Sequence, residues 1–229
     1  MNFLSHFYFD REEENPYRIM GIVLPDLLKN ANKEWNLRPE KNEHLFFHDD
    51  LQRGLLEGWK RHLEVDRYFH SSEFFSRHTS TLRLQIVPHL LHSDVRPSFV
   101  AHIALELMLD SLLLTELSLD SSRFYTQLES TDEDVLSKFL LLNNIPESSI
   151  FFNFLEDFIR SKYLESYRKP KDIMFAIGKI CQRIWPRPFT DEEKFRVAGI
   201  LTAYLEVLKD DFISIFDQIE LRLEPYVSK

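Results

Sequence analysis

The sequence predicts an all-α fold: a single-domain helical bundle over residues 1–229, and three observations carry that expectation. Apolar residues recur at helical spacing, and no stretch combines period-two alternation with a hairpin turn. Glycine occurs only 5 times in the chain, too few for a β-rich or glycine-loop protein. Helix punctuation is frequent: Thr131-Asp132-Glu133-Asp134 and Thr190-Asp191-Glu192-Glu193 read as N-terminal caps, and Pro186-Arg187-Pro188 as a stop. A chain of this length buries a sizeable core, and its 20 phenylalanines argue against large-scale disorder.

In order, residues 2–10 are apolar and aromatic around His6, and residues 10–16 form a charged turn. Residues 17–30 read as a short helix. Pro25 stands where a helix starts or kinks, so Asp26 reads either as an N-cap or as a metal ligand. Residues 31–43 are polar and loop-like. His44 and His48 then form an i, i+4 pair beside Asp49 and Asp50; they are secondary ligand candidates, or a solvated helix start.

Residues 51–78 predict one or two helices, and residues 73–84 continue with Phe74 and Phe75 as core candidates. A broken connection follows, where His89 and His92 read as helix-end or surface residues and as outside ligand candidates. Residues 97–119 form a strongly apolar helix. Beyond it lie a helix from Thr131, a turn at Asn143-Asn144-Ile145-Pro146 and an amphipathic stretch over 150–167. A basic break at 168–172 and a helix over 173–185 come next. A last long helix or pair runs through Leu223.

Composition limits the function classes. A net charge of −9 disfavours nonspecific nucleic-acid binding, while leaving room for a local basic patch that recognises an acidic protein. The single cysteine, Cys181, excludes an intrachain disulfide framework, fits a reducing compartment and reads as a small buried hydrophobe. The N-terminus lacks the basic and long apolar segments of a signal peptide, and no apolar run reaches the roughly 18 residues of a membrane span. The expectation is a cytoplasmic protein. No phosphate-binding glycine loop, dinucleotide fingerprint or serine-nucleophile elbow is present.

Two polar ladders carry the chemistry. His62, Asp66 and His70 recur every four residues, which stacks three ligand-type side chains on one helix face. His102, Glu106 and Asp110 repeat the rule on the apolar helix. Burying Glu106 and Asp110 without partners costs several kcal/mol each, so they face solvent or meet cations, and their apolar neighbours favour cations. Imidazole plus carboxylate in a helical bundle suits a divalent metal, Zn, Mn or Fe. The absence of cysteine ligands favours a catalytic centre over a structural one, with His62 and Asp66 as the catalytic pair. Such a centre supplies hydroxide near neutral pH and clamps a phosphoryl oxygen, making phosphoester hydrolysis the natural reaction class.

Several of these segments resemble a known family. Met1-Asn2-Phe3-Leu4-Ser5-His6, Leu24-Pro25-Asp26-Leu27-Leu28-Lys29, Gly58-x3-His62-x3-Asp66 and Leu109-Asp110-Ser111-Leu112-Leu113 resemble bacterial acyl carrier protein phosphodiesterase. So do Ile177-Gly178-Lys179-Ile180-Cys181-Gln182-Arg183 and the run from Tyr204 to Phe216. The resemblance implies an HD-domain-like metal phosphohydrolase that releases 4′-phosphopantetheine from holo acyl carrier protein. It implies Asp26, His62, Asp66 and Asp110 as metal-site residues, His6 close by, and Lys29 and Arg61 as holders of the phosphate or the acidic carrier protein. The chain departs from that family at His70, where an acid is usual, at Ser111, where a histidine follows the acid, and at Pro25, which replaces glycine.

Gly21-x3-Pro25-Asp26, His62-x3-Asp66 and His102-x3-Glu106 also resemble zinc-dependent phospholipase C and its nuclease relatives, which implies another phosphodiester as substrate. A third alternative is a helical interaction protein without catalysis.

Overall fold

The computed structural model describes residues 1–91 and 93–223, and every regular element among them is helical, as the sequence predicts. In chain order the helices are α1 (Phe3–Tyr8), α2 (Pro16–Ala31), α3 (Asp50–His70), α4 (Glu73–Ile86), α5 (Pro97–Thr115) and α6 (Ser121–Glu129). They continue as α7 (Glu133–Leu142), α8 (Ser149–Ser161), α9 (Pro170–Gln182), α10 (Asp191–Lys209) and α11 (Phe212–Glu220). Short 3-10 turns lie at Pro39–Lys41, Glu43–Leu45, Val87–His89 and Tyr163–Arg168.

The helix starts follow local chemistry. Thr190 and Glu193 close a reciprocal capping box on α10, satisfying two amide donors that a helix start leaves without partners. Asn15, Ser72, Asp120 and Asp132 accept first-turn amides of α2, α4, α6 and α7. Proline occupies the first turn of α2, α5 and α9, where its missing N–H costs nothing. Of the two readings of Pro25, helix start or kink, the structure has the interior position. Pro25 lies inside α2, which runs on to Ala31, so Asp26 is not an N-cap. His44 and His48 precede α3, exposed on and beside a 3-10 turn.

The chain divides into two compact units. One comprises Met1–Ser5, Arg67–Leu119 and the described residues from Leu164 onward; the other comprises His6–Asp66 and Asp120–Tyr163. In the second, rings fill the interior: Phe46 against Phe139 at 5.1 Å, and Phe7 against Phe124 at 5.3 Å. Its determining contact is the crossing of α2 on α3. A Cβ added at Gly21 meets the Leu55 carbonyl oxygen at 2.3 Å, and one added at Gly58 meets the Arg18 carbonyl oxygen at 2.1 Å. Only glycine at both positions lets the two backbones approach this closely.

In the first unit α5 is the central helix, packed against α4 and α9. Val100, Leu105, Met108, Leu109, Leu113 and Leu114 are wholly buried, each stabilising the fold by about 1.5–3 kcal/mol relative to exposure. Among the described residues α5 alone is long and apolar enough to cross a membrane, and 67% of that stretch is buried inside the protein. The apolar character read from the sequence of this helix thus matches its largely buried position.

Candidate metal centres

Among the described residues, two groups of side chains bring ligand atoms within 4.8 Å of one another: His6, His62 and Asp66 in one unit, and His70, His102 and Glu106 in the other.

The glycine crossing brings two α2 groups, Asp26 and the Ile22 carbonyl, beside the first ligand group. With α2 drawn onto α3, Asp26 Oδ1 comes to 4.0 Å from His62 Nε2, and Asp66 Oδ2 lies 3.7 Å from that nitrogen. His62 Nδ1 is 2.8 Å from the Ile22 carbonyl oxygen. A carbonyl can only accept, so Nδ1 carries the hydrogen, and in the neutral ring Nε2 presents its lone pair to the two carboxylates. That backbone contact sets both tautomer and ring direction, as outer partners of metal-binding histidines do.

His6 stacks on His62 with centroids 3.9 Å apart and planes at 16°. Its Nε2 stands 3.3 Å from Asp66 Oδ1, a long contact, and among the described residues neither buried ring nitrogen has a well-formed hydrogen bond. Burial and the neighbouring His62 push His6 down to about 4, against the pull of Asp66, so the ring is neutral at pH 7. Burial raises Asp66, but the two imidazoles beside it outweigh that and hold it well below the usual carboxylate range.

The set fits a divalent ion. Ligand atoms about 2.1 Å from a tetrahedral centre stand about 3.4 Å apart, and the closest spacings here are 3.3 and 3.7 Å. An ion there would also give the buried His6 Nε2 a partner, which otherwise costs desolvation.

The second group is more open. His102 Nε2 lies 3.0 Å from Glu106 Oε1, His70 Nε2 lies 3.3 Å from the same oxygen, and the two imidazole nitrogens are 3.1 Å apart. The Met1 ammonium also reaches Glu106 Oε1, at 3.1 Å. Burial raises Glu106, but the ammonium and the two histidines outweigh it and keep the side chain ionised. Side-chain exposures of 33% at His70 and 41% at His102 leave this group accessible, whereas His6 is fully enclosed.

Asp110 joins neither group. Its oxygens accept from Asn2 Nδ2 at 2.7 Å, the Leu4 amide at 3.1 Å, and the Ser5 amide and hydroxyl at 2.8 and 2.6 Å. Burial pushes it up to about 6, with these donors pulling the other way, and it is ionised at pH 7. The metal-site role expected for Asp110 thus gives way to a structural one: it anchors the chain start. Ser111, where the resembled family carries histidine, donates to the Tyr167 carbonyl at 2.6 Å.

Arg61 is also placed differently from its expected substrate contact. It is 7% exposed, its Nε lies 3.3 Å from Asp10 Oδ2, and Arg18 shares the same carboxyl group at 3.0 Å. Lys29 is exposed and donates to the Lys33 carbonyl. His44, His48 and His89 belong to neither ligand group, and His92 lies outside the described residues.

Sequence reasoning missed His78. Buried on α4, it joins Tyr204 through Nδ1 at 2.9 Å and Asp211 through Nε2 at 3.2 Å, tying α4 to α10 and to the start of α11. No spacing rule links partners more than a hundred residues apart. Comparison with known proteins finds no matching family model, no similar curated protein and no similar solved structure.

Proposed function

We propose that this chain is a metal-dependent phosphodiester hydrolase of the acyl carrier protein phosphodiesterase type, working in the cytoplasm with a zinc, manganese or iron ion at His6, His62 and Asp66. One observation supports this above the others: a neutral, buried His6 without well-formed hydrogen bonds stacks on a His62 whose tautomer the Ile22 carbonyl sets, and both face the ionised Asp66.

Asp26, 4.0 Å from His62 Nε2, would complete the ligand set. A divalent ion bound there acidifies a water molecule and withdraws charge from a phosphoryl oxygen. The chain's residues hold that arrangement: Ile22 keeps the His62 ring aligned, Asp66 supplies negative charge without needing to lose a proton, and burial of both imidazoles excludes bulk water. Holo acyl carrier protein is the first substrate to test, although Arg61, committed to Asp10, is not free to receive it.

The test is elemental analysis of the purified chain, then incubation with holo carrier protein and mass spectrometry for loss of the pantetheine arm. No loss with zinc, manganese or iron rejects that substrate. No metal bound by the parent chain and no hydrolysis of any diester rejects the reaction class. One observation favours a second reading, a phospholipase C or nuclease-like diesterase: His102 and Glu106 converge with His70, as the His-x3-Glu resemblance implies. A panel of phospholipid and nucleotide diesters separates the two.

A further inference from the structure

Beside the second ligand group, α4 and α5 flank an open pocket of about 300 Å³, lined by Phe75, Thr79, Ser80, Arg83, Ser98 and His102. Each helix contributes an i, i+4 pair, Thr79 with Arg83 and Ser98 with His102, so the lining side chains share a face by construction. We infer that this pocket binds a phosphate group, with Arg83 as its anchor and His102 joining it to the ion-holding group.

Four observations carry the inference. Arg83 is exposed and makes no ion pair among the described residues, whereas Arg18, Arg53, Arg61 and Arg77 all pair with carboxylates. Among the described residues no carboxylate lines the pocket, so a cation with five donors faces it without a described counter-charge. The Ser80 and Ser98 hydroxyls add donors from both helices, while the Thr79 hydroxyl is already given to the Phe75 carbonyl at 2.7 Å. His102 lines the pocket while its Nε2 lies 3.0 Å from Glu106, so one residue belongs to both the pocket and the ligand group.

Donors arriving from two helices suit a tetrahedral oxyanion, which offers oxygens in several directions, better than a planar carboxylate. Phe75 closes one wall, its ring edge-on to His102 with centroids 5.0 Å apart. The inference rests on the proposed function in one respect, that the natural ligand is a phosphoester. The pocket itself makes a prediction that needs no catalysis.

The experiment uses inorganic phosphate as the probe. Phosphate is titrated into the full chain, first without metal and then with zinc, and followed by phosphorus NMR line broadening. Arg83→Ala should weaken phosphate binding about tenfold or more, and Arg83→Lys should recover part of the loss. Zinc content should stay unchanged in both variants. Binding should also weaken with added chloride, because the anchor is solvent-facing. Equal affinity in the parent chain and Arg83→Ala, or no phosphate binding by the parent chain, overturns the inference. A chain that binds phosphate through Arg83 yet hydrolyses no diester supports the pocket and counts against the reaction.

Discussion

Replacing Gly58 with alanine tests the crossing that carries Asp26 and the Ile22 carbonyl to His62. The added Cβ would stand 2.1 Å from the Arg18 carbonyl oxygen, 2.7 Å from the Ile22 nitrogen and 2.8 Å from the Gly21 carbonyl carbon. Ordinary van der Waals contact begins near 3.4 Å, so α2 must retreat by about an ångström. All three obstacles are backbone atoms, and no side-chain rotation relieves them. Overpacking of this kind costs about 1–3 kcal/mol, and backbone obstacles place it toward the upper end. Alanine recovers about 1 kcal/mol through its better helix propensity.

The net expectation is a loss of roughly 1–2 kcal/mol, or about 2–8 °C in Tm for a chain of this size. Retreat of α2 also carries Asp26 and the Ile22 carbonyl away from His62, so zinc affinity should fall about 10–100-fold, the usual effect of losing an outer partner. Thermal denaturation and zinc titration measure both effects. Gly199→Ala is the control: that position on α10 has no atom within 4 Å of an added Cβ, so the variant should gain stability with unchanged zinc binding. A Gly58→Ala chain as stable as its parent, with parental zinc affinity, would refute the reasoning.

Further predictions follow the buried polar groups. Zinc at a hundred times its dissociation constant should stabilise the parent chain by about 2.7 kcal/mol in thermal shift, and His6→Ala should lose most of that increment. Without metal, His6 titrates near 4 in the folded chain and 6.5 in the unfolded one. The unfolded state therefore binds the extra proton, and the stability due to His6 is lost as pH falls from about 6.5 to about 4, a slope that His6→Ala should remove from denaturant titrations. Asp110 has the opposite sign. Its folded value of about 6 lies above the unfolded 3.8, so its contribution declines as pH rises through that window, by up to about 3 kcal/mol at about 1.4 kcal/mol per unit. Subtracting the Asp110→Asn stability curve from the parent curve should isolate that decline. Burial pushes the Cys181 thiol up to about 12, so it should resist alkylation in the native chain and react on denaturation.

Helical content was legible because its signals are local. The sequence predicts helices over 17–30 and from 97, and the structure has Pro16–Ala31 and Pro97–Thr115. Thr190 caps α10 as its residue pattern requires. The ladders were legible for the same reason, since i, i+4 spacing puts His62 with Asp66 and His102 with Glu106. The roles of Asp110 and Arg61 were not legible, because their partners, Ser5 and Asp10, are brought to them by tertiary packing. An apolar helix bearing a carboxylate has the same pattern whether the charge meets a cation or four hydrogen-bond donors. Asp26 was misread as a possible cap because proline marks helix starts more often than interiors, and the two glycines that hold α2 in place outweigh the local preference.

The buried nitrogens of His6 also bear on how long the protein survives. A native state that gains a partner for a buried nitrogen by binding an ion would draw part of its margin over unfolding from the surrounding metal supply. Under scarcity a larger fraction of molecules would open, and quality-control proteases would remove them faster. Were the proposed ion bound there, the abundance of this chain would follow its supply.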